Sequence, residues 1–223
     1  MKIFQANPKA EYLELKSEIE KALLSVSRRG NYILGEEVKF LEREFATYIG
    51  SNYAIGVASG TDAIEISLRA LGIGIGDEVI TVSHTAVATV AAIEACGATP
   101  ILIDIEEDFY TLCPKQLEEV YSSRTKAIIA VHIYGQGCDL HKILRFCKDK
   151  NIELIEDVSQ AHGGKYKERY LGNFGKIACF SCYPTKNLGA LGDAGLITTN
   201  DHELSTKCKM IREYGWDSSR ISK

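Results

Sequence analysis

The chain is missing several features that would point its function elsewhere. It has no stretch of roughly 18 unbroken apolar residues, the length a membrane helix needs. Its best candidate, 86–105, is interrupted by Glu94, Gly97, Pro100 and Asp104. It has no basic run or stripe: 26 Lys and Arg are dispersed among 30 Asp and Glu, for a net charge of -4. Neither a membrane nor nucleic acid is therefore expected as a partner. The opening MKIFQANPKAEYLEL lacks the apolar centre of a signal peptide. Cys179 and Cys182 form a CxxC, but no second pair exists at comparable spacing. A spacing of three along a strand points the two thiols to opposite faces. Buried structural thiols are expected there, not zinc or redox chemistry. The odd total of 7 cysteines, scattered through apolar segments, reads as reduced thiols in a cytoplasmic protein.

What is present is the balance of a globular α/β protein. Apolar residues make up 45% and charged residues 25% of 223 positions, enough for one large domain and a substantial core. Helical periodicity runs over 10–26 and again over 36–48. Beyond that, short apolar strands (53–57, 78–82, 99–104, 127–133, 153–157) alternate with helices (61–71, 86–96, 114–120, 140–150). Strands at 177–181 and 196–199 and a helix over 203–214 complete the pattern. Such alternation predicts βαβ units and a mostly parallel sheet sandwiched by helices. There is no internal repeat and no low-complexity linker.

Ligands of open α/β sheets bind beyond the carboxyl ends of the strands, and four features fall there. Ala58-Ser59-Gly60-Thr61-Asp62 joins a strand to a helix whose free N–H groups suit a phosphate, although an ordinary helix cap has the same composition. Glu156-Asp157 ends a buried strand, followed by Gln160 and His162. Carboxylates there need a cationic or hydrogen-bonding partner, and Asp157 could meet a cationic ring nitrogen while Gln160 reaches a neighbouring oxygen. Lys186 lies in Ser181-Cys182-Tyr183-Pro184-Thr185-Lys186-Asn187-Leu188-Gly189, a setting unlike that of a solvated surface lysine. A lysine partly withdrawn from water can form a Schiff base, and Ser181 could donate to a phosphate. His84 follows another strand, where it could lie over a flat cofactor or simply be hydrogen-bonded. His132 and His141 have no metal-ligand spacing with any other His or Cys. A phosphate cradle, an acid for a pyridinium nitrogen and a Schiff-base lysine are together what pyridoxal 5'-phosphate chemistry requires.

Five segments carry a family resemblance: Gly30-Asn31-Tyr32-Ile33-Leu34-Gly35, Ser59-Gly60-Thr61-Asp62-Ala63, Gly76-Asp77-Glu78-Val79-Ile80, Glu156-Asp157 with Gln160-Ala161-His162-Gly163, and the run from Ser181 to Gly195. Through them the chain resembles the DegT/DnrJ/EryC1/StrS family of sugar aminotransferases. The resemblance implies the large domain of the aspartate aminotransferase fold. It also implies that Lys186 binds the cofactor covalently, Asp157 pairs with its ring nitrogen and Gln160 contacts its ring hydroxyl. Gly60, Thr61 and Ser181 would hold the phosphate. The implied reaction moves an amino group, usually from glutamate, to a nucleotide-linked keto sugar in amino-sugar and polysaccharide biosynthesis. The run Val82-Ser83-His84-Thr85-Ala86-Val87-Ala88-Thr89 looks most like members acting on dTDP-3-keto-6-deoxyhexoses. Relatives with a histidine in place of the lysine dehydrate sugars, so Lys186 points to transamination. Where many members place a stacking aromatic, this chain has Ala86, which leaves His84 as the alternative. The implied organisation is an N-terminal helical segment over 1–30 packing on the large domain, a cofactor-binding domain over 31–215, and at 216–223 the start of a connection to a C-terminal small domain. A homodimer is implied as well. Two further readings remain at this level: a catalytically incomplete remnant of the large domain, and a dehydratase or lyase using the same cofactor.

Overall fold

A computed structural model describes residues 6–216; residues 1–5, and 217–223 of the expected connection, lie outside the described residues. Seven strands form the central sheet: β1 (Tyr53–Val57), β2 (Glu78–Val82), β3 (Thr99–Ile103), β4 (Thr125–Val131), β5 (Glu153–Asp157), β8 (Ile177–Ser181) and β9 (Gly195–Thr199). A two-stranded hairpin, β6 (Lys165–Tyr166) and β7 (Arg169–Tyr170), stands apart. The sheet order is β1-β9-β8-β5-β4-β2-β3. β9 runs antiparallel to both neighbours, and the other pairings are parallel. The expected sandwich is therefore present: β2 and β9 are buried throughout, and β4 and β5 nearly so.

The helices are α1 (Pro8–Glu14), α2 (Lys16–Arg29), α3 (Glu36–Ile49), α4 (Gly60–Ala70), α5 (Val87–Ala95), α6 (Leu117–Val120), α7 (Leu140–Lys150) and α8 (His202–Arg212). The single helix expected over 10–26 is two, because Leu15 leaves helical geometry (φ -98, ψ 13). The one expected over 114–120 begins as a 3-10 turn at Pro114–Gln116, and the expected strand to 133 ends at Val131. Neither α1 nor α2 buries a residue, and Leu13, Leu23 and Leu24 stay exposed. Cys179 and Cys182 are both buried, and burial pushes both thiols up, as expected of structural cysteines.

One polar cluster fixes the end of β5. Glu156 is fully buried and accepts from the backbone N–H groups of Gly172, Phe174 and Gly175 at 2.7 to 2.9 Å. His132, also fully buried, places Nε2 3.1 Å from Glu156 Oε2 and accepts the Cys138 N–H at Nδ1. Nδ1 being an acceptor, Nε2 carries the proton and donates to Glu156. Burial works to raise the Glu156 carboxyl, but the hydrogen bond from His132 and those from the backbone hold it below the usual range. The two neighbouring acids are thus separated: Glu156 secures the 172–175 loop, and Asp157 faces the other side of the strand.

Glu156→Gln turns an amide donor toward these N–H groups. It should cost on the order of 3 kcal/mol and roughly 10 °C in Tm, measured by urea and thermal unfolding. Acid should also weaken the fold through His162. Burial, and then the charge of Lys186, lower its pKa to about 4. The unfolded chain binds more protons between that value and about 6.5. Stability is therefore full above about 6.5 and falls as the pH drops toward 4. Urea unfolding across this range should show that slope, and His162→Leu should flatten it.

Candidate active site

The carboxyl ends of the strands surround a cleft of about 310 Å³, near the lower end of the range for small-molecule sites. Gly60, Thr61, Asp157, Gln160, Ser181 and Lys186, all singled out from sequence, line it together. Its wall also includes Thr85, Ala86, Ile133, Ser159, Tyr183 and Asp193.

The floor is set by close backbone approach. A Cβ on Gly60 would lie 2.6 Å from Ser181 Cβ, and one on Gly195 would lie 2.3 Å from the Ser59 carbonyl oxygen. Side chains there would push α4 away from the ends of β8 and β9, so glycine is required sterically. Ser59 caps α4, accepting the Asp62 N–H at Oγ over 3.0 Å. Gly60 and Thr61 begin the helix, where N–H groups have no intrahelical acceptor and the dipole favours an anion. Ser181 Oγ accepts the Tyr183 N–H at 3.3 Å, which leaves its own proton to donate elsewhere.

Asp157 is held from two sides. Its Oδ1 accepts the Ser159 N–H at 3.1 Å, and its Oδ2 accepts the Thr89 hydroxyl at 3.2 Å. Thr89 in turn lies 2.8 Å from the Thr85 hydroxyl. Gln160 Oε1 accepts the Tyr134 N–H at 3.0 Å, so its amide N–H₂ remains for another acceptor. Tyr134 makes that bond from a left-handed backbone conformation (φ 54), uncommon for an aromatic residue.

Lys186 sits in a loop tied by backbone bonds. Its N–H donates to the Tyr183 carbonyl, Ala190 N–H to Cys182 and Cys182 N–H to Ala194, each at 2.8 Å. The lysine is partly buried. His84 is not in the cleft lining. It is exposed, with its ring set edge-on to Tyr134 at 5.6 Å, whereas Ala86 does line the cleft. His162 packs against Phe180. The Gly30–Leu34 run lines a separate open hollow of about 820 Å³ with Arg212.

Thr85 and Thr89 were not singled out from sequence. For Thr89 the available signal was a hydroxyl three and four residues before Ala92 and Ile93, on the face of the helix that is otherwise apolar and buried.

Comparison with known proteins identifies the family and the fold. The family model for the DegT/DnrJ/EryC1/StrS aminotransferase family matches residues 13–223. A dTDP-3-amino-3,6-dideoxy-alpha-D-galactopyranose transaminase of Aneurinibacillus thermoaerophilus is 49% identical over 203 residues, covering 91% of this chain and 56% of that protein. The crystal structure of Streptomyces venezuelae DesV in complex with a ketimine intermediate superposes with a TM-score of 0.91 at 43% identity, covering 94% of this chain and 56% of that one. Bacillus subtilis NtdA, solved with the cofactor PMP, gives 0.87 at 32% identity, covering 94% and 48%. The chain thus spans about half the length of the relatives it matches. The neighbours share the fold of pyridoxal phosphate-dependent sugar aminotransferases, and aminotransferases of this family depend on that cofactor. The chain belongs to the DegT/DnrJ/EryC1/StrS aminotransferase family.

Proposed function

We propose that the chain is the cofactor-binding part of an aminotransferase that moves an amino group from an amino acid, L-glutamate, to a nucleotide-linked keto-deoxysugar. One observation carries this reading: a lysine, a buried aspartate and a helix N-terminus with an adjacent serine all line one cleft. Bound pyridoxal 5'-phosphate supplies the electron sink for bond breaking at an amino acid's alpha carbon.

The residues fit that group. Gly60 and Thr61 offer backbone N–H groups, and Ser181 a hydroxyl proton, to a phosphate. Asp157 keeps acceptor capacity beyond Ser159 and Thr89 for a ring N–H. Gln160 presents its amide N–H₂ to a ring hydroxyl. Lys186 would hold the cofactor covalently, and its amine would carry a proton at the alpha carbon as general base and then acid. By family resemblance, a lysine here favours transamination over dehydration. The relatives' own names support a nucleotide sugar, of the dTDP-keto-6-deoxyhexose class, as acceptor.

The same reading covers organisation. The helical segment α1–α2 precedes the cofactor domain, which the reading places at 31–215. Exposed Leu23, Leu24, Tyr32, Ile33, Phe40 and Leu41 support pairing with a second copy. Seven unpaired thiols support a reducing, cytoplasmic setting. Among the described residues, no helix is long and apolar enough to cross a membrane.

Added pyridoxal phosphate should give the 223-residue chain a visible absorption band that Lys186→Ala abolishes. Amino-sugar formation from a dTDP-3-keto-6-deoxyhexose and glutamate should fall on the order of a thousandfold in that variant. Consumption of keto sugar without amino sugar would instead support the dehydratase or lyase reading.

A further inference from the structure

α5 is apolar along its buried side except for one residue. It buries Thr89, Ala92 and Ile93, and Thr89 has no exposed surface. Valine has the same shape and would fill that space without a hydroxyl to satisfy. The Thr89 hydroxyl also makes no local bond of the kind other helix hydroxyls here make, even Ser67, whose Oγ lies 3.3 Å from Cys179 Sγ as well. Ser27, Thr47, Ser67 and Thr206 donate to carbonyls four residues back in their own helices, the usual local solution. Thr89 instead reaches Asp157, 68 positions away in sequence.

The polarity of this contact follows from proton counting. A carboxylate only accepts, so the one Thr89 proton goes to Asp157 Oδ2. The 2.8 Å contact between Thr89 and Thr85 must then use the Thr85 proton, with Thr89 Oγ1 accepting. Thr85, on the cleft wall, is left with acceptor capacity only. Ser159 N–H fixes Oδ1 from the other side. With roughly four acceptor sites on a carboxylate, two are occupied, and the plane of the group is set by bonds to two different elements.

We infer that Thr89 is a positioning residue. Its hydroxyl orients the Asp157 carboxylate so that the remaining acceptor sites face a cationic ring nitrogen in the cleft. The inference rests on the proposed cofactor site and adds a residue that never touches the cofactor.

The experiment uses the 223-residue chain with added pyridoxal phosphate, read by the dissociation constant, by circular dichroism in the cofactor absorption band, and by thermal melting without cofactor. Wild-type binding comes first; no binding there refutes the cofactor site itself. Given wild-type binding, Thr89→Val should weaken it about tenfold. It should also reduce the circular dichroism per bound cofactor, because the ring is no longer held at one angle. Thr89→Ser, which keeps the hydroxyl and loses the methyl group, should retain wild-type binding and signal even where its melting temperature falls. Thr89→Ala substitutes for the valine variant should that fail to fold. Wild-type affinity and signal in Thr89→Val or Thr89→Ala would overturn the inference. Loss in Thr89→Ser equal to that in Thr89→Val would overturn it too, since packing would then account for both.

Discussion

The cleft depends on how closely three backbones meet at the carboxyl edge of the sheet. Gly60 at the start of α4, Ser181 at the end of β8 and Gly195 at the start of β9 leave no room for an added Cβ at either glycine. That contact brings a helix N-terminus beside a serine hydroxyl, and the strand order makes it possible. β9 is inserted antiparallel between β1 and β8, so the loop carrying Lys186 returns directly over the turn that begins α4. Local chemistry and global topology agree at this point, which is what a single deep native state requires.

Two adjacent carboxylates then divide the work. Glu156 faces the core side and spends its acceptor capacity on His132 and three backbone N–H groups, anchoring the loop behind the site. Asp157 faces the cleft and keeps capacity in reserve. Both use the rigidity of β5, since a strand alternates its side chains and a register slip would exchange their roles. His132 links the halves: its ring engages Glu156 while its backbone N–H donates to the Asp157 carbonyl. The turn that follows brings Tyr134 N–H to Gln160.

Much of this was legible beforehand, and the misses have physical causes. Strand positions at 53–57, 78–82, 153–157 and 177–181 coincide with those observed, because buried apolar runs bounded by turn residues leave little freedom. The six candidate residues come together in one cleft because each lies at or just beyond a strand end, in an order the fold converts into proximity. The β6–β7 hairpin was not legible: its turn places Lys167 and Glu168 at positive φ without the glycine or asparagine that signals such a turn. The break at Leu15 follows no proline or glycine. Thr89 was missed because a threonine in a helix ordinarily bonds within its own turn. Its actual partner is the last residue of β5 and is visible only once α5 is packed on the sheet. The split roles of Glu156 and Asp157 likewise depend on which face of β5 meets the loop at 172–175.

This fold is expected to direct pyridoxal phosphate to one lysine among many. Incubating the chain with the cofactor, reducing with borohydride and mapping peptides by mass spectrometry tests it most directly. A phosphopyridoxyl group is expected on Lys186 at one equivalent per chain, while exposed lysines such as Lys39 and Lys165 stay unmodified. Label spread over surface lysines, with Lys186 no richer than the rest, would contradict it.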